Sequence, residues 1–132
     1  MDRWRIGRKD LLSDVWRAPQ AEVEAIYRKW YWDEMRCGEL PSGVDYCVFD
    51  FGVNSGVFRS AKFLQAALGV TADGQIGPKT IAAANAATPG YLIGAICDAR
   101  LQYLRGLSTW WKYKRGWTTR VEDVRRDALA MK

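Results

Sequence analysis

SGVDYCVFDFGVNSG, residues 42 to 56, decides the fold of this chain. Apolar side chains recur at the i, i+3, i+4 and i+7 spacing of one helix face, at Val44, Cys47, Val48 and Phe51. Phe49 and Val53 add a second apolar side. Ser42 is expected to cap this helix and Gly56 to end it. Because a helix that is apolar on both sides is buried nearly all round, the stretch predicts the central helix of a small domain.

An amphipathic helix is predicted before this stretch, from about Pro19 to Tyr31. Its apolar face consists of Val23, Ile26, Tyr27 and Trp30. Proline suits the first turn of a helix, because its missing N–H has no partner there in any case. Glu22 and Glu24 fall on the polar side, where a solvated surface is the expected environment.

A stiff turn follows the central region, GVTADGQIGPKT at residues 69 to 80. Asp73 and Gly74 favour a tight turn, because Asp can bond to its own backbone and Gly accepts a positive φ. Ile76 is expected to anchor the turn to the core. A short alanine-rich helix is predicted after it, over residues 78 to 86.

Three more helices complete the predicted fold. One covers residues 57 to 68, and one, expected to be the longest, runs from 89 to about 107. Residues 108 to 117 break the periodicity, and Thr119 with Glu122 then forms a capping-box pattern that opens the last helix. Since no segment alternates polar and apolar residues over the length of a strand, the sequence predicts an all-α fold.

Size and charge bound the function. The 132 residues fit one compact domain, residues 1–132, with no apolar run long enough to span a bilayer and no apolar signal segment at the start. The net charge is +5, and residues 98–132 hold nine basic and four acidic side chains. Such a face suits nucleic acid, an acidic membrane surface or an anionic cell-wall polymer, and a merely solvated helix face is the alternative.

The reactive side chains exclude several kinds of site. Cys37, Cys47 and Cys97 are odd in number and widely spaced, which fits neither a disulfide framework nor a zinc site, so a reduced structural role is expected. There is no histidine, which excludes imidazole metal ligands and every Ser-His or Cys-His catalytic pair. We expect no metal and no cofactor, and any catalysis would fall to carboxylates.

Four segments carry a family resemblance: IYRKWYWDEM at 26–35, LPSGVDYCVFDFGVNSG at 40–56, FLQAALGVTADGQIGPKTIAA at 63–83 and KRGWTTRV at 114–121. In order and spacing they resemble glycoside hydrolase family 108, lysozyme-like N-acetylmuramidases of phages and bacteria, some labelled secretion activator proteins. The resemblance implies action on glycan strands of peptidoglycan at the bacterial cell wall or periplasm. It also implies a lysozyme-like part over residues 1–68 and a peptidoglycan-binding part over 69–132 packed on it.

The resemblance has one departure. Members of the family begin with a helix bearing a Glu-Gly-Gly signature, whose glutamate is taken as the catalytic acid, followed by a glycine-rich stretch. The sequence contains neither, so no catalytic residue is identified, and we expect the chain to bind glycan but to be inactive or incomplete as an enzyme. A missing first helix would leave apolar surface on the central helix, which predicts a homodimer through that surface.

Six residues are predicted to contact the substrate: Tyr31, Trp32, Asp50, Asn54, Asp73 and Gln75. Asp50 and Asn54 lie four residues apart on one helix face, although a hydrogen-bonded pair at a helix end is the alternative. Tyr31 and Trp32 stand at a helix end, where aromatic rings can stack on sugars. Glu34 and Glu39 are further candidate sugar contacts.

Two other functions stay open. One is a small basic nucleic-acid-binding protein that uses the surface of residues 98–132, although no helix-turn-helix signature makes nucleic acid the expected partner. The other is a non-catalytic structural or regulatory partner. Salt-sensitive retention of DNA without binding to glycan would favour the first of these.

Overall fold

The structure of the chain, a computed structural model, describes residues 20–132, with side chains from residue 24 onward. These residues form six α-helices and no strand, which confirms the all-α prediction. The helices are α1 Gln20–Tyr27, α2 Val44–Ser55, α3 Val57–Leu68, α4 Pro78–Ala86, α5 Pro89–Arg105 and α6 Trp110–Met131. A short π-helix, Arg28–Trp32, continues α1, and one 3-10 turn, Cys37–Glu39, precedes α2.

Helix α2 is the centre of the molecule, as predicted. Every residue from Val44 to Gly52 is buried, and the helix contacts α3, α5, α6 and both short helices. Phe51 belongs to this core, and Ile76 of the 69–80 turn packs against it. Gly56 ends α2 with a φ of 100°, a conformation that side-chain-bearing residues rarely adopt, and α3 begins at the next residue.

The start of α2 corrects one prediction. Ser42 does not cap the helix, because its hydroxyl donates instead to the carbonyl of Met131 in α6 at 2.9 Å. The cap position is Gly43, whose backbone N–H is bonded by the Asp45 carboxylate at 3.0 Å. The same oxygen of Asp45 accepts from the backbone N–H of Tyr46 at 2.7 Å. The buried carboxylate of Asp45 therefore binds backbone N–H groups at the helix start, the role predicted for Ser42.

Helix α1 differs from its predicted form beyond Tyr27. The predicted start at Pro19 and the side chain of Val23 lie outside the described residues. At Arg28 the helix widens to the π form, and the wider turn rotates the following side chains. Trp30, predicted to face inward, lies in this π-helix and is 64% exposed, and Ile26, which precedes it and was also predicted to face inward, is 53% exposed.

Helix α6 corrects a second prediction. The predicted break over residues 108–117 is wrong, because the helix is continuous from Trp110 and the supposed cap, Thr119, lies inside it. With 22 residues it is also longer than the 17-residue α5. The aromatic rings of this segment hold its first turns together, since Tyr113 and Trp117 stack with centroids 5.3 Å apart.

The remaining helix predictions are confirmed. Gly69 ends α3 with a φ of 73°, and Pro78 opens α4, which ends at Ala86 as expected. The three cysteines are buried and unbridged, which fits the structural role predicted for them. Within residues 20–132 no single helix is long and apolar enough to cross a bilayer, and only α4 and α5 taken together, bent by 115°, reach that length and composition.

Candidate functional site

A cleft of about 370 Å³ opens where the end of α2 meets α3, α5 and α6. We call it the arginine cleft. It is lined by Asn54, Ser55, Arg59, Arg100, Tyr103, Leu104, Leu107, Trp117 and Arg120. Four helices supply these side chains, except Leu107, which lies between α5 and α6, so the cleft exists only in the folded domain.

Asp50 of α2 binds two of the arginines of the cleft and is fully buried. Arg100 of α5 donates Nη1 to Asp50 Oδ2 at 2.6 Å. Arg120 of α6 donates to the other oxygen from Nη2 and, at 3.2 Å, from Nε. One carboxylate therefore joins three helices through charge-assisted hydrogen bonds, the stronger class of hydrogen bond in proteins.

Arg59 of α3 is the exposed arginine of the cleft. Its guanidinium lies over the ring of Tyr103, with Cζ 4.6 Å from the ring centroid, and Nη1 donates to the carbonyl of Ser55 at 3.0 Å. These contacts hold a flat, charged group in one orientation. Among the described residues no carboxylate forms an ion pair with Arg59.

Aromatic rings form the other wall of the cleft. Tyr103 is fixed by edge-to-face contact with Phe63, at a centroid distance of 5.9 Å. Trp117 contacts two further rings of α6, with centroid distances of 5.3 Å to Tyr113 and 6.2 Å to Trp110. Both Tyr103 and Trp117 keep part of their surface in solvent, so the cleft offers flat apolar faces beside cationic groups.

The described lining of the cleft carries positive charge. Among residues 20–132, three guanidiniums line it, and Asp50 pairs with two of them. Arg100 is only 4% exposed, and its Nε has no hydrogen-bond partner in the part of the chain that the structure describes. Since Arg59 forms no ion pair with a carboxylate among the described residues, the arrangement favours an anionic or acceptor-rich ligand.

The structure brings Asn54 and Asp50 together as the spacing predicted, but gives them different surroundings. Asn54 is exposed, lines the arginine cleft, and donates Nδ2 to the carbonyl of Asp50 at 2.8 Å. Asp50 is enclosed and both of its oxygens accept from arginines. Asn54 can therefore reach a ligand directly, whereas Asp50 acts by holding Arg100 and Arg120 in place.

Tyr31 and Trp32 lie apart from the arginine cleft. Trp32 is 4% exposed and packs edge-to-face on Phe49 at a centroid distance of 5.7 Å. Tyr31 is half-buried and stacks on Tyr27 at 5.5 Å. In this arrangement Trp32 contributes to the core, and Tyr31 is the one of the two that presents surface to solvent.

Asp73 and Gln75 belong to the 69–80 turn, which is built around the buried amide of Gln65. Gln65 Nε2 donates to Asp73 Oδ1 at 2.9 Å, to the carbonyl of Gln75 at 2.9 Å and to Thr80 Oγ1 at 3.1 Å. Its Oε1 accepts from the backbone N–H of Gly74 at 2.9 Å. Both predicted contact residues are exposed, but the hydrogen bonds of Asp73 serve the turn.

Two further clefts flank this turn. One, of about 360 Å³, is lined by Glu34, Met35, Val57, Phe58, Ala61, Gly74, Gln75 and Ile76. The other, of about 630 Å³, is the wider groove along residues 69–80 and includes Asp73, Gln75 and Lys79. Of the six residues predicted to contact substrate, Asn54 lines the arginine cleft. Asp73 and Gln75 line the clefts beside the 69–80 turn.

The shifted carboxyl pKa values among the described residues both move downward. Hydrogen bonds from the Arg36 guanidinium at 2.6 and 2.8 Å lower the pKa of Glu39. The backbone N–H of Gln75, followed by the amide of Gln65, lowers the pKa of Asp73. A lowered pKa keeps a carboxyl group ionised at neutral pH, so neither group suits the role of a proton donor.

The arginines of the cleft were not predicted as site residues. A local signal did exist for Arg100, which falls between Ile96 and Leu104 at i+4 spacing on the inward face of α5. A cation on that face requires a buried anion, and Asp50 is an acidic residue on an otherwise apolar part of α2. The two residues are 50 positions apart, so local sequence patterns do not predict that they pair. Within the described residues no group of three or more Cys, Asp or Glu side chains could hold a metal ion.

Comparisons with known proteins agree with this architecture. A family model described as glycosyl hydrolase 108 matches residues 1–56, and one described as a predicted peptidoglycan domain matches residues 59–122. A solved structure of SagA from Brucella abortus is similar, with 42% sequence identity and a TM-score of 0.83. That match covers 89% of this chain and 68% of the SagA chain. No curated protein matches the chain.

Proposed function

Because this chain belongs to the glycosyl hydrolase 108 family, we propose that its arginine cleft is a binding site for peptidoglycan. The chain is a peptidoglycan-directed, lysozyme-like protein with a helical peptidoglycan-binding region towards its C-terminus. What the proposal adds is the place of binding. Nothing in the comparisons favours the alternative of a nucleic-acid-binding protein.

One observation carries the proposal: the cleft combines side chains from both matched regions. Asn54 and Ser55 come from the glycosyl hydrolase match, and Arg59, Tyr103 and Trp117 from the peptidoglycan-domain match. Polar groups and half-buried rings lie together there, the combination that sugar faces and their polar substituents require.

The division into a lysozyme-like part, residues 1–68, and a peptidoglycan-binding part, residues 69–132, remains a prediction. Residues 59 to 68 lie in α3, the helix that Gly69 ends. Arg59, near the start of this helix, lines the arginine cleft. In our proposal both parts contribute to one surface, so neither binds glycan fully by itself.

We assign binding, and not bond cleavage, to the arginine cleft. Glycosidic hydrolysis needs a carboxylic acid beside the scissile oxygen and in most families a second carboxylate. Asp50, whose carboxylate binds two arginines of the cleft, is enclosed and has both oxygens occupied by them. A turbidity assay of purified sacculi with this chain measures cleavage independently of binding.

The predicted homodimer has no support in the described residues. Its basis was uncovered apolar surface on the central helix, and the part of α2 from Val44 to Gly52 is fully enclosed. Light scattering tests this point, and a monodisperse monomer would count against the dimer.

Replacement of Trp117 by alanine tests the proposed site. Co-sedimentation with purified sacculi should weaken about tenfold, because loss of one stacking ring costs roughly 1–3 kcal/mol in comparable aromatic platforms. Trp111→Ala is the matched control, since Trp111 lies on the same helix, is 74% exposed and does not line the cleft.

The comparison between the two tryptophan variants decides the outcome. The proposal requires Trp117→Ala to bind more weakly than Trp111→Ala, with both variants folded by circular dichroism. Equal binding by the two variants would remove the arginine cleft as the glycan site. Asn54→Ala supplies a second variant in the cleft that leaves the aromatic wall intact.

A further inference from the structure

We infer that the arginine cleft recognises a carboxylate group of peptidoglycan, with Arg59 as the residue that binds it. This inference rests on the proposed function and names the chemistry at the same site. Neutral sugar rings would be held by the aromatic wall, and an anionic substituent by the arginines.

The first step is the unmatched charge of Arg59. Arg100 and Arg120 share the carboxylate of Asp50, whereas among the described residues no acidic side chain pairs with Arg59. Because Arg59 is exposed and lines the cleft, an anion entering the cleft meets its positive charge.

The second step is the orientation of Arg59. Its guanidinium is stacked on Tyr103 and uses one N–H group for the carbonyl of Ser55. A guanidinium carries five N–H donors in a rigid fork, so the geometry leaves donors for a ligand. A carboxylate matches that fork in a bidentate pair, which a neutral amide or hydroxyl cannot do with the same strength.

The third step is the chemistry of the ligand. Two parts of peptidoglycan carry carboxylates: the lactyl ether of N-acetylmuramic acid where it is not substituted, and the peptide stem. N-acetylglucosamine carries none. The shared chemistry is a carboxylate group, and the two sources are separated by the competition experiment below.

The central experiment compares native sacculi with sacculi whose carboxylates have been converted to methylamides by carbodiimide coupling. The full chain should bind the methylamidated sacculi about tenfold more weakly at 0.15 M salt, the loss expected for one charged hydrogen-bonded pair. Equal, measurable binding to both forms would overturn the carboxylate inference but leave the proposed function intact. Binding to neither form would contradict the proposed function itself.

Variants separate Arg59 from the overall positive charge. Arg59→Ala should remove the preference for native sacculi, whereas Arg59→Lys, which keeps the charge but loses the fork, should retain part of it. Arg126→Ala is the matched control, because it removes one positive charge from an exposed part of α6 that does not line the cleft. If Arg126→Ala loses the preference to the same extent, bulk charge explains the binding and the inference is wrong.

Competition identifies the source of the carboxylate. Stem-free glycan strands prepared with an amidase carry lactyl carboxylates alone, and released stem peptides carry peptide carboxylates alone. Competition by either probe with the wild-type chain, but not with Arg59→Ala, supports the inference and names the source. Failure of both probes to compete at concentrations that saturate native sacculi would overturn it.

Discussion

Asp50 is the residue that holds the arginine cleft in shape. It lies on α2, is fully buried, and accepts hydrogen bonds from Arg100 of α5 and Arg120 of α6. Burying charges is costly, and here the pairing of Asp50 with two arginines offsets the cost. Loss of the carboxylate would remove the group that joins Arg100 and Arg120 to α2.

Replacement of Asp50 by alanine should lower the free energy of unfolding by about 3–5 kcal/mol, the range for breaking a buried pair from one side. Urea denaturation measures it. Asp123→Ala is the control, because Asp123 forms an exposed pair with Arg126 of the kind that contributes about 1 kcal/mol or less. A loss from Asp50→Ala no greater than that of the control would show that the buried pair does not hold the cleft.

The carboxylate of Asp73 is expected to make the folding stability of the chain depend on pH. Hydrogen bonds from the backbone of Gln75 and then from Gln65 lower its pKa in the folded chain. The sign follows from this direction: the contribution is present above the ordinary Asp pKa of about 3.9 and is lost as the pH falls through the lower folded value.

Asp73→Asn should therefore flatten the fall in stability below about pH 4, since the amide oxygen accepts the same hydrogen bonds at every pH. Urea midpoints measured from about pH 6 downward through the ordinary Asp pKa of about 3.9 and into the acid limb measure the effect. Glu34→Gln removes an exposed carboxylate that forms no hydrogen bond within the described residues, and should leave the curve unchanged. An identical acid limb for Asp73→Asn and the wild type would contradict the assignment.

The helices show how far local sequence determines the elements. The bounds of α2 and α4 follow from Gly56 and from Pro78, whose backbone constraints act without help from the rest of the chain. The π-helix at Arg28 and the continuity of α6 did not follow. In α6 the aromatic residues Trp110, Tyr113 and Trp117 have helical spacing, but lysines lie between them in the sequence. The contacts between their rings in the structure show this spacing.

Gly116 offers a test of the continuity of α6. Gly116→Pro should cost about 3 kcal/mol or more, because proline removes a helical hydrogen bond and clashes with the preceding turn. Gly116→Ala, at the same position, should instead stabilise by about 0.5–1 kcal/mol, since a Cβ there meets nothing within 4 Å. Thermal unfolding monitored by circular dichroism measures both, and a harmless proline would mean that the segment is a loop.

At the scale of the whole molecule, the sequence predicts the fold but only a small part of the binding surface. The all-α architecture around α2 follows from apolar periodicity, and the pair Asp50 and Asn54 from the rarity of polar residues in such a helix. The arginines that complete the cleft lie 50 and 70 residues further along the chain from Asp50. No local pattern encodes that meeting, because it depends on how α5 and α6 pack on α2.

The cleft also explains why the basic surplus of residues 98–132 matters. Arg100 and Arg120 belong to this part of the chain, and both form ion pairs with Asp50 near the end of α2. The surplus is therefore more than a solvated helix face: part of it is organised beside aromatic rings. This is the arrangement on which the account of peptidoglycan binding depends.

Titration of the ¹⁵N-labelled chain with soluble peptidoglycan fragments, followed by NMR, tests that account most directly. We predict that the largest shift changes fall on the amides of Asn54, Arg59 and Tyr103 and on the indole N–H of Trp117. Saturable binding whose shift changes cluster instead around Glu34 and Gln75, with the arginine cleft unaffected, would contradict it.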